Sequence, residues 1–130
     1  MLECIAAEGR YLAFRASEKL TPQDYEQLSK LVEEKAAKPH TVRVLLNFQN
    51  FHGWTLPGLA AGMKFGIKDG KLVEKLAIVG HGKSEEALAW VVEVFGSSIV
   101  EFFEEERGKD AWSWLHADDT GEYLSYASFI

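Results

Sequence analysis

The fold is decided by residues 42–66, with the sequence VRVLLNFQNFHGWTLPGLAAGMKFG. Its first part, Val42 to Phe48, is an almost unbroken apolar run that begins with β-branched residues. A half-exposed strand alternates apolar and polar residues, so a run of this kind predicts a strand covered on both faces. We therefore expect the central strand of a sheet here. Asn50 to Gly53 tolerate the tight backbone of a turn, and Thr55 can cap a following helix.

That helix carries two rows of residues. Its apolar residues recur at helical spacing, and its glycines recur every four residues along an adjoining ridge. Glycine inside a helix costs about 1 kcal/mol relative to alanine, so something should compensate for it. Close packing against the sheet or a neighbouring helix is one explanation, and an interface or groove for a partner is the other. The apolar row is Leu56, Leu59, Ala60, Met63 and Ile67, and the candidate interface is Gly58, Gly62 and Gly66.

The residues before this stretch predict a hairpin and a helix. Residues 4–7 and 11–15 are short strand candidates separated by a spacer that contains Gly9. Thr21, Pro22 and Asp24 form a capping-box-like helix start. An amphipathic helix follows, and Pro39 is predicted to stop it.

The residues after it predict alternating strands and helices. Residues 76–80 and 99–103 are short apolar strands, with a helix from Ser84 to Phe95 between them. The acidic run 104–106 predicts a solvated loop, and residues 110–115 a short helix. Residues 118–130 form a C-terminal tail that either docks, frays or meets another molecule.

This order of elements predicts an α/β fold. A small, mostly parallel sheet of about five strands, with an N-terminal hairpin, would be covered by about four helices. We expect one domain over residues 1–130, because a chain of 130 residues fits one domain.

The composition of the chain excludes several classes of function. The formal net charge of −6 argues against sequence-independent binding of nucleic acid and disfavours a purely electrostatic attraction to anionic lipid, leaving at most peripheral membrane contact. The single Cys4 cannot form an intramolecular disulfide, and it is expected to be a small core residue. No signal peptide or long apolar segment is visible, so we expect a cytoplasmic protein.

The ends of two predicted strands carry residues capable of chemistry. The carboxyl ends of parallel strands form the usual ligand crevice of an open α/β sheet. Here they carry Phe51, His52 and Trp54 after one strand, and His81 and Lys83 after the next. A histidine can exchange protons near neutral pH, and a lysine can hold an anion. Alternatively, the two aromatic residues anchor the turn against the sheet.

We expect no enzyme. Glu85 is the one carboxylate near these histidines in sequence, and no nucleophile elbow or phosphate loop is present. Catalysis by His52 and His81 remains the less favoured alternative. The four histidines and one cysteine lack metal-ligand spacing, so neither a metal nor a cofactor is expected.

The C-terminal half is rich in aromatic residues. They either pack in the core or line an apolar cavity, in which case the terminal helices would be a movable cover or would open at a membrane surface. The aromatic residues are Trp90, Phe95, Phe102, Phe103, Trp112 and Trp114, of which Trp90, Phe102, Trp112 and Trp114 join the candidate ligand-binding residues.

Three short motifs resemble the SpoIIAA-like, STAS-related proteins: Phe51-x-Gly53-Trp54, residues 77–80 (AIVG) and Ala111-x-x-Trp114-Leu115. The resemblance covers roughly residues 1–117 and implies the STAS fold. Relatives that act as anti-sigma-factor antagonists carry an Asp-Ser pair where this chain has Thr55-Leu56, so the phosphorylatable serine is absent. A likeness within the family to lipid-carrying Sec14-type domains implies ligand binding or membrane association.

These observations predict a non-enzymatic SpoIIAA-like module that binds a small apolar or amphipathic ligand. The alternative is a protein interaction or regulatory module that binds a protein partner or a second copy of itself.

Overall fold

A computed structural model of the chain describes residues 1–36, 41–54, 56–80, 94–96 and 98–117. These residues form five strands and three α-helices, with two short 3-10 helices. The strands are β1 (Leu2–Glu8), β2 (Tyr11–Leu20), β3 (Val42–Trp54), β4 (Val73–Gly80) and β5 (Ile99–Glu104). The helices are α1 (Pro22–Ala36), α2 (Leu56–Asp69) and α3 (Gly108–His116), and the 3-10 helices are Gly70–Leu72 and Glu105–Arg107.

The strands form one sheet in the order β1-β2-β3-β4-β5. β1 runs antiparallel to β2, and every other neighbouring pair is parallel. The predicted α/β fold, with an N-terminal hairpin and β3 at the centre of the sheet, is confirmed. Of the helix predicted from Ser84, the described part is Val94 and Phe95, which are helical and buried.

Both faces of β3 are buried, as its apolar run predicts. Val44 and Leu46 belong to the larger core, which α1 and α2 cover. Leu45 belongs to a smaller core on the other face, beneath α3, together with Ala77 and Leu115. Helices therefore cover the sheet on both sides.

The strand boundaries need correction. β3 was expected to end near Phe48 and break at Asn50 to Gly53, but it continues to Trp54. It does so because β2 also runs on, to Leu20, and supplies backbone partners along the extension. Two irregularities in the β2–β3 register accommodate the extra residues. The acidic run predicted as a loop instead ends β5 and enters the second 3-10 helix.

The predicted start of α1 is confirmed. The amide of Thr21 donates to Asp24 Oδ2 (2.8 Å), and the amide of Asp24 donates to Thr21 Oγ1 (3.4 Å). These bonds satisfy amides that a helix start otherwise leaves without partners. The amide of Leu2 also donates to Asp24 Oδ1 (2.9 Å), which ties α1 to β1. The predicted stop at Pro39, the caps at Thr55 and Ser84, and the tail 118–130 lie outside the described residues.

Helix α2 turns its glycine side inward. Gly58, Gly62 and Phe65 are buried, whereas Met63 and Ile67 of the apolar row are 54% and 86% exposed. The reason is close contact with α1. A Cβ atom on Gly62 would lie only 2.8 Å from the hydroxyl oxygen of Tyr25, so glycine lets the two helices approach.

Replacing Gly62 with alanine should therefore destabilise the protein. Alanine favours the helix by about 1 kcal/mol, but its methyl group overlaps the ring of Tyr25, which is buried. We expect the free energy of unfolding, measured by urea denaturation, to fall by about 1–2 kcal/mol. Gly108→Ala is the matched control, because no heavy atom lies within 4 Å of a Cβ there. Equal stabilisation by both substitutions would contradict this packing.

Two buried cations hold the C-terminal end of α3. Arg43 Nη1 donates to the carbonyl oxygen of Leu115 (2.5 Å), and Lys75 Nζ donates to that of Trp114 (2.7 Å). Lys75 Nζ also lies 4.1 Å from the centre of a Trp114 ring. Positive charges are favourable at this end of a helix, where carbonyl groups lack intrahelical partners. Arg43 and Lys75 are neighbours across β3 and β4, so α3 is fixed to the middle of the sheet.

Candidate functional site

The predicted crevice residues lie at one end of the sheet or outside the described part. Phe51, His52 and Trp54 lie in the C-terminal part of β3, where the backbone of β3 pairs with β2. The structure describes no side-chain placement for these three residues. His81, Lys83 and Trp90 lie outside the described residues, so convergence at this end stays a prediction.

The described aromatic candidates lie on opposite faces of the sheet. Phe102 is half-buried against the larger core. Trp112 and Trp114, also half-buried, belong to α3 and pack on the other face. Their rings contact neighbours, with centroids 6.2 Å apart for Trp112 and Tyr11 and 5.9 Å apart for Trp114 and Phe103. The structure does not bring these three candidates together around one space.

The candidate interface glycines face inward. Gly58 and Gly62 are buried and Gly66 is half-buried, and Gly62 contacts α1 within the same chain. Substituting Gly62 therefore disturbs the packing of α1 on α2, and does not test a partner interface in isolation.

The side of α2 that faces solvent carries an apolar row and a basic row. We call it the α2 surface and define it as Ala60, Met63, Lys64, Ile67 and Lys68, all of which are exposed. Ala60, Met63 and Ile67 lie at i, i+3 and i+7, so they follow one face of the helix. Lys64 and Lys68 are one turn apart and run beside them. The result is a strip of aliphatic side chains bordered by positive charge.

A groove separates the basic row from α1. It has a volume of about 500 Å³ and is open to solvent. The aromatic rings of Tyr25 and Phe65 line it, with their centroids 6.4 Å apart. The other lining residues are polar, charged or small: Pro22, Glu26, Ser29, Lys30 and Glu33 of α1, and Ala61, Lys64 and Lys68 of α2.

Two carboxyl groups meet where α2 ends. Ser29 Oγ donates to Asp69 Oδ2, and Lys68 Nζ lies 3.1 Å from Glu33 Oε2. Burial raises the pKa of Asp69, and its hydrogen bond with Glu33 adds to this, while Ser29 opposes it. The pKa of Glu33 is lowered, by the hydrogen bonds from Asp69 and Lys68. At low enough pH, Asp69 therefore holds the proton between the two groups and donates it to Glu33.

Replacing Asp69 with asparagine should stabilise the protein above neutral pH. The folded state raises the pKa of Asp69, so its contribution to stability is present in acid and is lost as pH rises through that pKa. Asparagine keeps a donor toward Glu33 and removes a negative charge from the carbonyl end of α2. We expect the free energy of unfolding to rise by up to about 1 kcal/mol at pH 8 and the gain to vanish in acid.

Urea denaturation of both proteins between pH 4 and pH 8 measures this difference. Ser29→Ala serves as the comparison, because it removes a hydrogen bond to Asp69 without changing the charge. A loss of stability in Asp69→Asn that is the same at every pH would contradict the account.

Comparisons with known proteins agree with this fold. The SpoIIAA-like family profile matches residues 11–116, and the chain belongs to this family. A similar solved structure is an uncharacterised protein of the DUF3478 family with a SpoIIAA-like fold from Shewanella loihica PV-4. It is 32% identical with a TM-score of 0.68, and the match covers 88% of this chain and 92% of that one. No curated protein matches the chain.

A more distant structure has the same fold. It is the anti-sigma factor antagonist SpoIIAA in its unphosphorylated form, with a TM-score of 0.56 over 85% of this chain and 96% of that one. At 9% sequence identity, this likeness shows the fold alone.

The sequence alone did not indicate that the residues of the α2 surface lie together on the solvent-facing side of the helix. Met63 and Ile67 were seen as an apolar row, and the signal that sets them apart is the pair of lysines beside them, at positions 64 and 68. Among the described residues, no helix is long and apolar enough to span a membrane. In the same part of the chain, no cluster of three His, Cys, Asp or Glu side chains could hold a metal ion.

Proposed function

We propose that this protein is a non-enzymatic interaction module that binds a protein partner through the α2 surface. The observation that carries the proposal is the exposure of Met63 and Ile67 on a helix that buries its glycines. Contiguous aliphatic side chains on a surface are typical of binding sites, because covering them removes apolar area from water. A helix that is already folded also presents these side chains without the cost of ordering its backbone.

The family supports the same class of function. The solved SpoIIAA structure is named as an anti-sigma factor antagonist, a role that is exercised through other proteins. The present chain has Thr55-Leu56 where antagonists of that kind carry Asp-Ser, so control by phosphorylation of that serine is not part of the proposal. Binding through an outward helix face needs no modification.

The rival hypothesis is a small apolar or amphipathic ligand, with or without peripheral membrane contact. Its candidate residues near His81, Lys83 and Trp90 lie outside the described residues. One space in the described core, lined by Asp24 and by apolar and aromatic side chains such as Leu2 and Leu20, measures about 10 Å³. That volume holds about one water molecule, so this space does not favour a lipid-sized ligand.

Site-specific photo-crosslinking tests the proposed surface. A photoreactive phenylalanine derivative at position 67 should give a discrete adduct with one protein, whereas the same group at the exposed Glu34 of α1 should not. The captured partner is then identified, purified and titrated calorimetrically. Ile67→Ser should weaken its binding about tenfold, which corresponds to about 1.4 kcal/mol, and Glu34→Ser should not. Unchanged affinity in Ile67→Ser would contradict the proposal.

Native mass spectrometry tests the rival. Excess mass that disappears on denaturation, without a protein partner, would favour a bound small molecule over the interaction module.

A further inference from the structure

We infer that the segment docking on the α2 surface is an acidic amphipathic helix of another protein. The inference rests on the proposed function and adds the chemistry of the partner. It follows from the distribution of charge around Met63 and Ile67, and from the shape of the surface that they share with α1.

The exposed charges of α2 are positive although the whole chain has a formal net charge of −6. Across the groove, α1 contributes Glu26 and Glu33 beside Lys30. Lys64 and Lys68 flank the apolar row, and the exposed Lys71 follows directly after α2. The one carboxylate within α2, Asp69, is 2% exposed and turned inward. Lys68 pairs with Glu33, whereas Lys64 and Lys71 form no ion pair within the described part of the chain. A partner with carboxylates would complement these two lysines.

The shape suits a helix. Ala60, Met63 and Ile67 form a straight row, which a second helix can cover with apolar residues at the same spacing. The open groove beside the row, with Tyr25 and Phe65 in its wall, offers space for side chains of that helix. Acidic residues flanking its apolar seam would then stand opposite Lys64.

Two other occupants fit the surface less well. A membrane would gain only two large aliphatic side chains, Met63 and Ile67, which is little apolar area to hold the protein at an interface. A second copy, docked symmetrically on the same face, would bring the lysines of both chains together.

Three designed peptides test the inference. Each is a helix of about four turns with the same leucine seam, and the flanking positions are all Glu, all Gln or all Lys. Fluorescence anisotropy should show the Glu peptide binding about fivefold tighter than the Gln peptide, with a smaller advantage at about 300 mM than at about 50 mM salt. Ile67→Ser should weaken both peptides alike. The double variant Lys64→Glu and Lys71→Glu should reverse the preference in favour of the Lys peptide, and Lys109→Glu on α3 should not.

Each other outcome overturns the inference. Equal affinity for the Glu and Gln peptides would reject an acidic partner but keep the α2 surface as an apolar docking site. A failure of this inference can therefore be distinguished from a failure of the proposed function. If no peptide binds, the hypothesis of a helical partner is rejected. The crosslinking experiment at position 67 tests independently whether the α2 surface binds a protein. Binding to anionic vesicles, or self-association, that is lost in Ile67→Ser would assign the surface to a membrane or to a second copy. Circular dichroism of every variant confirms that it is folded.

Discussion

Replacing Gly70 with alanine is expected to lower the free energy of unfolding by about 3 kcal/mol. Gly70 is buried at the start of the 3-10 helix between α2 and β4, and a Cβ atom there would lie 2.6 Å from the carbonyl oxygen of Val94. Unlike the ring of Tyr25 near Gly62, this neighbour is a backbone atom, and both Val94 and Phe95 are fixed in the core. The clash is therefore relieved only by moving one segment of chain away from the other.

Thermal and urea denaturation of Gly70→Ala measure the loss, and Gly108→Ala is again the control because its Cβ would meet open space. A Gly70→Ala protein as stable as the wild type would show that residues 94 and 95 do not pack against the end of α2 as described.

Replacing Arg43 with methionine should cost about 2–3 kcal/mol and loosen α3. The side chain of Arg43 is 4% exposed and donates to Glu74 Oε1 (3.1 Å) as well as to Leu115. Methionine fills similar space but leaves the carbonyl oxygen of Leu115 without this donor. Burial alone would raise the pKa of Glu74. The guanidinium groups of Arg43 and Arg10 have the larger combined effect, so the pKa of Glu74 is lowered. The Arg43 substitution should therefore also raise the pKa of Glu74.

Denaturation monitored by tryptophan fluorescence measures this effect, since Trp112 and Trp114 lie on α3. Arg15→Met is the matched control: the same change on β2, at an exposed side chain with one ion pair of 3.5 Å, should alter stability by no more than about 0.5 kcal/mol. Similar losses in both variants would mean that Arg43 does not anchor α3.

Two kinds of feature could be predicted from the sequence: a helix cap formed by residues close in the chain, and a strand buried on both faces. The Thr21-Asp24 cap depends on residues within one turn, so the sequence contains all of it. The apolar run of β3 shows directly that both faces are covered. The end of β3 could not be predicted, because it depends on how far β2 continues beside it.

The orientation of α2 was beyond the sequence for a related reason. Apolar spacing shows that Met63 and Ile67 share a face, but not that this face points outward. The choice depends on the approach of Tyr25 to Gly62, a contact between residues far apart in the chain. Likewise, Arg43 and Lys75 stand out as charges within apolar strands, but only the fold shows that they meet the carbonyl end of α3.

The central claim is that the outward face of α2 is covered when the partner binds. It is tested most directly by the labelling rate of a thiol at position 67 in a Cys4→Ser, Ile67→Cys protein, with and without the purified partner. We expect the partner to slow labelling at position 67 strongly and to leave labelling of a Glu34→Cys control unchanged. Protection at position 34 with free labelling at position 67 would contradict the account and move the binding surface to α1.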